Sequence, residues 1–255
     1  IQLYLYEKRE PQVLQHLNKV QLSPRIGERA RLFHVDRGLA DGAFHSTYYR
    51  RPSTDIPSIS TVHDLITDGK SLKSRLLDHQ RSQSILSAST VLCVSEYTRN
   101  EVIRRYGDKY IERSKVVYNS ASEIFVNTRA RREDYCLFVG ARAGYKNFKN
   151  AVLALQRHTD ISLRIVGPAI TPSERKFLDD VLHMRWQHLS SVEDVRLNDL
   201  YNKALFLLYP SILEGFGIPI IEAQRTGCPV VAVEGNAVSE IAGEGAILCE
   251  NGSTA

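Results

Sequence analysis

The sequence predicts an α/β protein with two parallel-sheet halves. Short apolar runs rich in β-branched residues alternate with stretches of helical pattern, as expected of βαβ units. A polar, arginine-rich stretch interrupts this alternation near the middle of the chain. We therefore expect an N-terminal domain over residues 1–122, a linker over 123–134 and a C-terminal domain over 135–255.

The N-terminal half is expected to alternate strands with two long helices. The strands are predicted at residues 1–6, 43–46, 58–62, 90–94 and 115–118, and the helices at residues 71–88 and 95–106. Ser95 is a good N-cap for the second helix, because its hydroxyl can accept a backbone N–H of the first turn.

The C-terminal half repeats the same alternation. Its strands are predicted at residues 135–139, 162–166, 205–208, 229–232 and 246–248, and its helices at residues 147–158, 172–183, 195–204 and 219–226. Gly227 follows the last of these helices where a helix-ending glycine is expected.

Composition excludes some classes of protein. The net charge of +4 is too modest to indicate a nucleic-acid partner, and 43% hydrophobic residues are ordinary for a globular protein. No run of about 18 apolar residues predicts a transmembrane helix. The basic residues at 104–105 and 129–132 are expected on a solvated helix face and in the linker, with contact to an anionic membrane surface as the alternative. We expect a cytoplasmic protein, and peripheral attachment to the inner face of the membrane stays open.

The cysteines indicate a reducing compartment. Cys93, Cys136, Cys228 and Cys249 form no C-x-x-C pair and no zinc-type cluster. Three of them lie in or beside apolar strand-like runs, which favours buried free thiols over disulfides.

The most informative segment follows the predicted strand at residues 205–208. Glu214 and Glu222 flank a Gly-x-Gly turn, and Pro219 suits the first turn of the helix that follows. Gly215 and Gly217 allow backbone N–H groups to approach a ligand closely. The two carboxylates are about two helical turns apart and can face one cleft, with an anion bound at the helix start. This layout suits a nucleotide-sugar.

The same segment resembles the E-x7-E signature of retaining glycosyltransferases of the GT-B fold, family 4 (group 1). Further segments resemble the family in its own order: FHSTYY at 44–49, TVHDLI at 61–66, VSEYTR at 94–99, VVYN at 116–119, FVG to KNF at 138–148, and GCPVV at 227–231. Their order and spacing identify the chain as a member of the family, in a mannosyltransferase-like subgroup. The resemblance implies two Rossmann-like domains facing a cleft.

The resemblance also shows what does not match. No segment resembles the family's first strand and Gly-rich loop, and the chain ends before the helices with which relatives cross back to the first domain. The resemblance therefore implies a chain that is truncated at both ends.

The resemblance implies roles for individual side chains. Glu222 would bind the ribose hydroxyls, Glu214 the donor sugar and Lys146 the diphosphate. Arg142, one position later than in many relatives, would assist Lys146, and His63 would reach the donor sugar from the first domain. The alternative for Glu222 is a solvated helix glutamate, and for Glu214 a carboxylate favoured by the helix dipole. For Lys146 it is a surface loop lysine, and for His63 a histidine that caps a turn.

The resemblance also implies the donor and how it is bound. Its diphosphate would contact the backbone of Gly215, Phe216, Gly217 and Ile218, and its base the backbone near residues 190–192. GDP-mannose is the favoured donor, and a UDP-sugar is the alternative. No Asp-x-Asp pair is present, so no metal site is expected, and no cofactor is expected besides the donor substrate.

The expected function is retaining transfer of a hexose to a polysaccharide or lipid-linked glycan, with Glu214 and His63 nearest the reacting sugar. A catalytically silent GT-B module that binds a nucleotide-sugar or a partner subunit is the alternative from another class. A GT-B epimerase would need further carboxylates in the first half, and we identify none there.

Overall fold

A computed structural model describes residues 2–5, 18–21, 43–47, 49–51, 56–67, 71–142, 144–190 and 192–250. The chain divides into two compact units. The first comprises residues 1–61 and 67–91, and the second comprises residues 62–66 and 92–255. This division differs from the predicted domain boundaries, because residues 62–66 and 92–122 group with the C-terminal half. The division at residues 123–134 stays a prediction.

Among the residues that the structure describes, the N-terminal part contains short strands and three helices. In chain order these are β1 (Gln2–Leu5), β2 (Asn18–Gln21), β3 (Phe44–Ser46), β4 (Ser58–Val62), α1 (Leu72–Ser87), β5 (Thr90–Cys93), α2 (Glu96–Tyr106), α3 (Tyr110–Arg113) and β6 (Ser114–Val116). Strands β1 and β2 pair in parallel, and a second sheet has the order β3-β4-β5-β6. Ser95 is the N-cap of α2 as predicted, and its hydroxyl accepts the Thr98 N–H at 3.0 Å.

The C-terminal part is a βαβ succession. Its elements are β7 (Tyr135–Val139), α4 (Phe148–Leu155), β8 (Ser162–Val166), α5 (Pro172–Leu182), β9 (Trp186–Leu189), α6 (Asp194–Lys203), β10 (Phe206–Tyr209), α7 (Ile218–Thr226), β11 (Val230–Val233), α8 (Asn236–Ala242) and β12 (Ala246–Cys249). A 3₁₀ turn, Gly144–Lys146, lies between β7 and α4. The six strands form one sheet in the order β12-β11-β10-β7-β8-β9, and every pair is parallel.

Alternating side chains of the central strands divide the core between the two faces of this sheet. Leu137 packs in one apolar cluster with residues of α6, α7 and α8, whereas Cys136 and Phe138 pack in a second cluster with α4 and α5. The Phe138 and Phe148 rings meet edge to face, with centroids 4.8 Å apart. Because both faces are covered by helices, the strands read as continuous apolar runs, which is why the sequence predicted them well.

Four of the described helices and strands were not predicted from the sequence, one of them the four-residue helix α3. Strand β2 and edge strand β9 lack a run of β-branched residues, and β9 reads Trp-Gln-His-Leu. Helix α8 has only seven residues, and its N-cap residue makes no side-chain cap bond, so the usual capping signal is missing. The expected helix at 147–158 ends at Leu155, and the expected strand at 115–118 spans Ser114–Val116.

The predicted linker contains no helix or strand but is fixed to α6. The Val126 N–H donates to Asn198 Oδ1 at 3.0 Å, and the Thr128 N–H donates to Asn202 Oδ1 at 2.7 Å. The two asparagines are one helical turn apart and present their amides along one side of α6. This linker strip, residues 123–134, therefore packs as part of the second compact unit.

Arg132 fastens the end of the same strip. Its guanidinium donates to the Ala204 carbonyl at 2.6 Å and to the Gly227 carbonyl at 2.7 Å. These carbonyls close α6 and α7, where backbone acceptors lack partners within the helix. Arg132 is exposed, as expected of the linker, yet its guanidinium also joins the ends of the two helices.

The cysteines behave as predicted. Cys93, Cys136 and Cys228 are buried free thiols, and Cys249 is an exposed free thiol. Burial raises the pKa of Cys93 and of Cys136 to about 12, so both stay protonated and unreactive. Within the described ranges, no helix has both the length and the apolar character needed to span a membrane.

Candidate active site

The strand order creates a topological switch point between β7 and β10. From β7 the chain moves outward to β8 and β9, and it then returns to β10 and continues outward on the other side to β11 and β12. Crevices at the carboxyl ends of strands beside such a point are the usual ligand sites of open α/β sheets. The loop after β7 carries Lys146, and the loop after β10 carries Glu214.

Lys146 and Glu214 meet at this switch point. The Lys146 Nζ atom lies 2.5 Å from Glu214 Oε1, and the Tyr209 hydroxyl donates to the same oxygen at 2.7 Å. The Glu214 residue is only 8% exposed. Burial and the neighbouring Glu214 carboxylate raise the pKa of Tyr209, so its phenol stays protonated as a donor. Two donors on one carboxylate oxygen hold the Glu214 side chain in one orientation.

Aromatic rings flank the Lys146 ammonium. Its Nζ atom lies 5.4 Å from the Tyr145 ring centroid and 5.9 Å from that of Tyr209, within cation–π range. The Tyr145 carbonyl also accepts the Ile212 N–H at 2.9 Å, which ties the loop after β7 to the loop after β10. The cation is therefore held in place before any ligand arrives.

The predicted Gly-x-Gly turn has the backbone that its glycines allow. A Cβ on Gly215 would overlap the His63 carbonyl oxygen and lie 2.8 Å from Asp64 Cβ, so a side chain has no room there. Gly217 has φ of +115° and precedes α7 without a side-chain cap bond. The N-cap residue of α7 therefore provides no side-chain hydrogen bond to the free N–H groups of the first turn, which suits the binding of an anion there. Phe216 is buried beside Tyr118.

Asn236 supports the loop from the first residue of α8, at φ of +46°. Its Oδ1 atom accepts the Glu214 N–H at 3.1 Å, and its Nδ2 atom donates to the Ile212 carbonyl at 3.0 Å. Sequence reasoning did not assign Asn236 to the site. The Gly-Asn pair after β11 was the available signal, because Asn tolerates the left-handed region better than most residues.

Glu222 is half-buried on α7 and faces α6. Its Oε2 atom accepts a 2.8 Å hydrogen bond from the Tyr201 hydroxyl. Burial raises the pKa of Glu222, while the Tyr201 hydrogen bond opposes that rise. The predicted ribose contact of Glu222 stays a prediction.

Arg142 makes its hydrogen bonds apart from the Lys146–Glu214 pair. Its guanidinium donates to Glu174 at 2.9 Å and 3.4 Å and to the Ala169 carbonyl at 2.8 Å. The Arg142 hydrogen bonds lower the pKa of Glu174 to about 2. Arg142 Nη1 is buried and has no hydrogen-bond partner among the described residues. The predicted diphosphate contact of Arg142 is untested by this arrangement.

His63 lies next to the turn rather than far from it. Residues 62–66 belong to the same compact unit as Glu214, and the His63 carbonyl is in contact with Gly215. Asp64 Oδ1 accepts the Ile66 N–H at 2.9 Å and stabilises the turn, as expected. A cavity of about 340 Å³ adjoins this turn, lined by Asp64, Ile66, Tyr97, Glu101, Leu213 and Glu214 among others.

The fold and this site define a class of protein: α/β glycosyltransferases of the GT-B type. Solved structures of glycosyltransferases share the fold. The sucrose-phosphate synthase from Thermosynechococcus elongatus superposes with a TM-score of 0.73 at 16% identity, covering 99% of this chain and 76% of that one. WaaG, a glycosyltransferase involved in lipopolysaccharide biosynthesis, superposes with a TM-score of 0.68 at 13% identity, covering 98% and 78%.

The chain belongs to the glycosyl transferases group 1 family. The model of that family matches residues 119–255, which is more than half of the chain, and the model of Glycosyltransferase Family 4 matches residues 9–122. Both the expected fold class and the expected family are thereby confirmed.

Two curated relatives are O-antigen mannosyltransferases. O-antigen chain mannosyltransferase B of Escherichia coli is 26% identical over 261 residues, covering 89% of this chain and 68% of that protein. O-antigen chain mannosyltransferase RfbU of Salmonella typhimurium is 30% identical over 168 residues, covering 64% and 47%. The chain thus spans about two thirds of the first relative and about half of the second.

Proposed function

We propose that the protein transfers mannose from GDP-mannose, with retention of configuration, to a growing polysaccharide or a lipid-linked glycan. The observation that carries this proposal is the Lys146–Glu214 pair, held beside the uncapped start of α7 at the sheet's switch point. The names of the two O-antigen mannosyltransferase relatives favour mannose over other hexoses.

Lys146 and the start of α7 would bind the diphosphate. Transfer breaks the bond between the sugar's anomeric carbon and the phosphate oxygen, so negative charge grows on the leaving diphosphate. The Lys146 ammonium and the N–H groups of Gly217 and Ile218 would stabilise that charge without reorganisation, because contacts to Tyr145 and Glu214 already fix this region. A compact, multiply donating ammonium suits a diphosphate.

Glu214 would bind the donor sugar. Its Oε1 atom is occupied by Lys146 and Tyr209, so we assign Oε2 to a sugar hydroxyl. Lys146 also neutralises this carboxylate, which lessens its repulsion of the incoming diphosphate. His63 follows β4 next to the same turn and is assigned to the donor sugar from the other side.

Glu222 would bind the ribose. Tyr201 occupies Oε2 and leaves Oε1 as the acceptor for a ribose hydroxyl. Arg142 is assigned a supporting electrostatic role towards the diphosphate, because the Nη1 atom of its guanidinium is buried and has no partner among the described residues. Glu174 keeps the rest of that guanidinium in place.

The proposed reaction needs no protein nucleophile. The acceptor hydroxyl attacks the face from which the diphosphate departs, the new glycosidic bond forms, and the hydroxyl proton passes to the leaving phosphate. The products are the elongated glycan and GDP. The proposal assigns no metal and no cofactor, since the donor is itself a substrate.

The acceptor of this proposal is located at the inner face of a membrane. A lipid-linked glycan would be presented there, and exposed basic residues suit an anionic surface. The Arg104 side chain, near the end of α2, is 73% exposed and forms an ion pair with Glu101. Co-sedimentation of the protein with anionic lipid vesicles tests this placement.

A nucleotide screen followed by product analysis tests the proposed function. In thermal-shift assays we expect GDP and GDP-mannose to stabilise the chain more than UDP, ADP or their sugars. A ligand at 100 times its Kd adds about 2.7 kcal/mol. With a mannose-terminated acceptor, we expect an axial glycosidic bond by NMR. Stabilisation by UDP-sugars alone would contradict the assignment of GDP-mannose as the donor. A product with inverted anomeric configuration would contradict the retaining mechanism. Binding without transfer by the complete protein would favour the silent module.

A further inference from the structure

We propose that Ser95 and Thr98, at the start of α2, position Glu214 by holding the carbonyl of Gly215. This inference rests on the proposed role of Glu214 at the donor sugar. It assigns the two hydroxyls to orientation of that carboxylate and not to direct contact with the substrate.

Both hydroxyls converge on one backbone oxygen. Ser95 Oγ lies 2.7 Å from the Gly215 carbonyl oxygen, and Thr98 Oγ1 lies 2.9 Å from the same atom. Ser95 is fully buried and Thr98 is 2% exposed. A buried carbonyl in a loop has no partner from a regular ladder, so these hydroxyls satisfy an acceptor that would otherwise be costly.

His63 and Asp64 also confine Gly215. The His63 carbonyl occupies the space that a Cβ would take, and Asp64 lies directly behind it. A glycine in a loop is normally free to rotate, which would let the preceding Glu214 swing. The contacts of Gly215 with His63, and of its carbonyl with the two hydroxyls, remove this freedom.

The N-terminal side of Glu214 is fixed from α8. The Glu214 N–H donates to Asn236 Oδ1 at 3.1 Å. One turn later on α8, the Glu240 carboxylate accepts the Glu96 N–H at 2.7 Å and the Tyr97 N–H at 2.9 Å. A carboxylate at a helix N-terminus is favourable, so Glu240 anchors the start of α2.

The contacts therefore close a ring around the Glu214–Gly215 peptide. Helix α8 fixes both the Glu214 N–H and the start of α2, and α2 fixes the Gly215 carbonyl. The groups that we assign to the diphosphate are Lys146 and the N–H groups of Gly217 and Ile218. None of them makes the hydrogen bonds of this ring. Loosening the ring should impair the sugar step while sparing the binding of bare nucleotide.

The experiment uses Thr98→Val, which keeps the side chain's shape and removes its hydroxyl. In the complete protein we expect kcat to fall about two- to tenfold, the loss expected for one neutral hydrogen bond. The GDP Kd by calorimetry should stay within about twofold. Thr98→Ser should restore kcat, and Ser95→Ala combined with Thr98→Val should lower it further. An unchanged kcat in Thr98→Val, or a GDP affinity that falls in parallel with kcat, would overturn the assignment.

Amide hydrogen exchange provides a readout that does not depend on transfer. Thr98→Val should speed exchange of the Glu214, Gly215 and Phe216 amides, whereas the strands β7 and β8 keep wild-type protection. Unchanged exchange in this loop overturns the positioning role even if the protein proves to transfer another sugar. Failure of the wild-type protein to bind any nucleotide-sugar would instead overturn the proposed function.

Discussion

Lys146 and Glu214 are 68 residues apart in the chain, yet the ammonium nitrogen lies 2.5 Å from the carboxylate. They meet because β7 and β10 are neighbours in the sheet although other strands and helices separate them in sequence. The structure therefore joins two side chains that the sequence had singled out separately. Within the site, Lys146 contacts Glu214, and Glu214 accepts from both Lys146 and Tyr209. Each side chain can offer its remaining bonding capacity to a ligand.

Substitutions of Glu214 and Glu222 should weaken the binding of different ligands. Glu222→Gln should weaken both GDP and GDP-mannose, because both carry the ribose, whereas Glu214→Gln should weaken GDP-mannose and spare GDP. Glu222→Gln keeps an oxygen for the Tyr201 hydroxyl, so the variant should fold. Calorimetric titration of each variant with GDP and with GDP-mannose measures these affinities. Equal losses of GDP affinity in the two variants would show that the roles are misplaced.

Gly215 should not tolerate a side chain. A methyl group there would overlap the His63 carbonyl, so Gly215→Ala should cost about 1–3 kcal/mol of unfolding free energy, as overpacking does. Gly144→Ala is the matched control, because its Cβ would meet nothing within 4 Å. Urea denaturation measures both. A Gly215→Ala variant as stable as the control would contradict the described approach of the two backbones.

Glu174 should contribute a pH-dependent part of the stability. Its folded-state pKa is lowered to about 2 from 4.5, chiefly by Arg142. A depressed pKa means that the contribution is complete above about pH 4.5 and is lost as the pH falls towards 2. Glu174→Gln should therefore lose less stability than wild type between pH 5 and about 3. The urea midpoints at these two pH values give the comparison, and parallel losses would rule out the linkage.

Arg132 should matter more than its neighbour. Arg132→Ala leaves the Ala204 and Gly227 carbonyls without their side-chain donor and should cost about 1–2 kcal/mol. The exposed Arg131 makes a matched control, and Arg131→Ala should stay within about 0.5 kcal/mol of wild type. Thermal unfolding of the two variants distinguishes them. Equal, small effects would indicate that the strip is loosely attached in solution.

Local signals accounted for most of the fold and for part of the site. The strands Tyr135–Val139 and Ser162–Val166 have the predicted bounds, because buried parallel strands produce continuous apolar runs. The turn at Gly215 and the Ser95 cap were likewise readable from residue type. Strand β9 was not predicted because it lies at the edge of the sheet, where a strand need not be a continuous apolar run.

The contacts that hold the site together could not be predicted. Ser95 and Gly215 are 120 residues apart, and Glu240 reaches the Glu96 N–H across 144 residues. A hydroxyl or carboxylate that serves a distant backbone group looks like any polar surface residue in a single sequence. Arg142 shows the converse case, since the family resemblance implied a contact to the diphosphate, whereas two of its three described hydrogen bonds go to Glu174.

The central claim is that Lys146 binds the diphosphate of a nucleotide-sugar at the switch point. Calorimetric titration of GDP into wild type, Lys146→Ala and Lys149→Ala tests it most directly. Lys149 is an exposed cation three residues further on and serves as the charge-matched control. Loss of a charge-assisted contact worth about 1.5–3 kcal/mol predicts a GDP affinity about ten- to hundredfold weaker in Lys146→Ala, with Lys149→Ala near wild type. Equal GDP affinity in all three proteins, with Lys146→Ala folded by circular dichroism, would contradict the account.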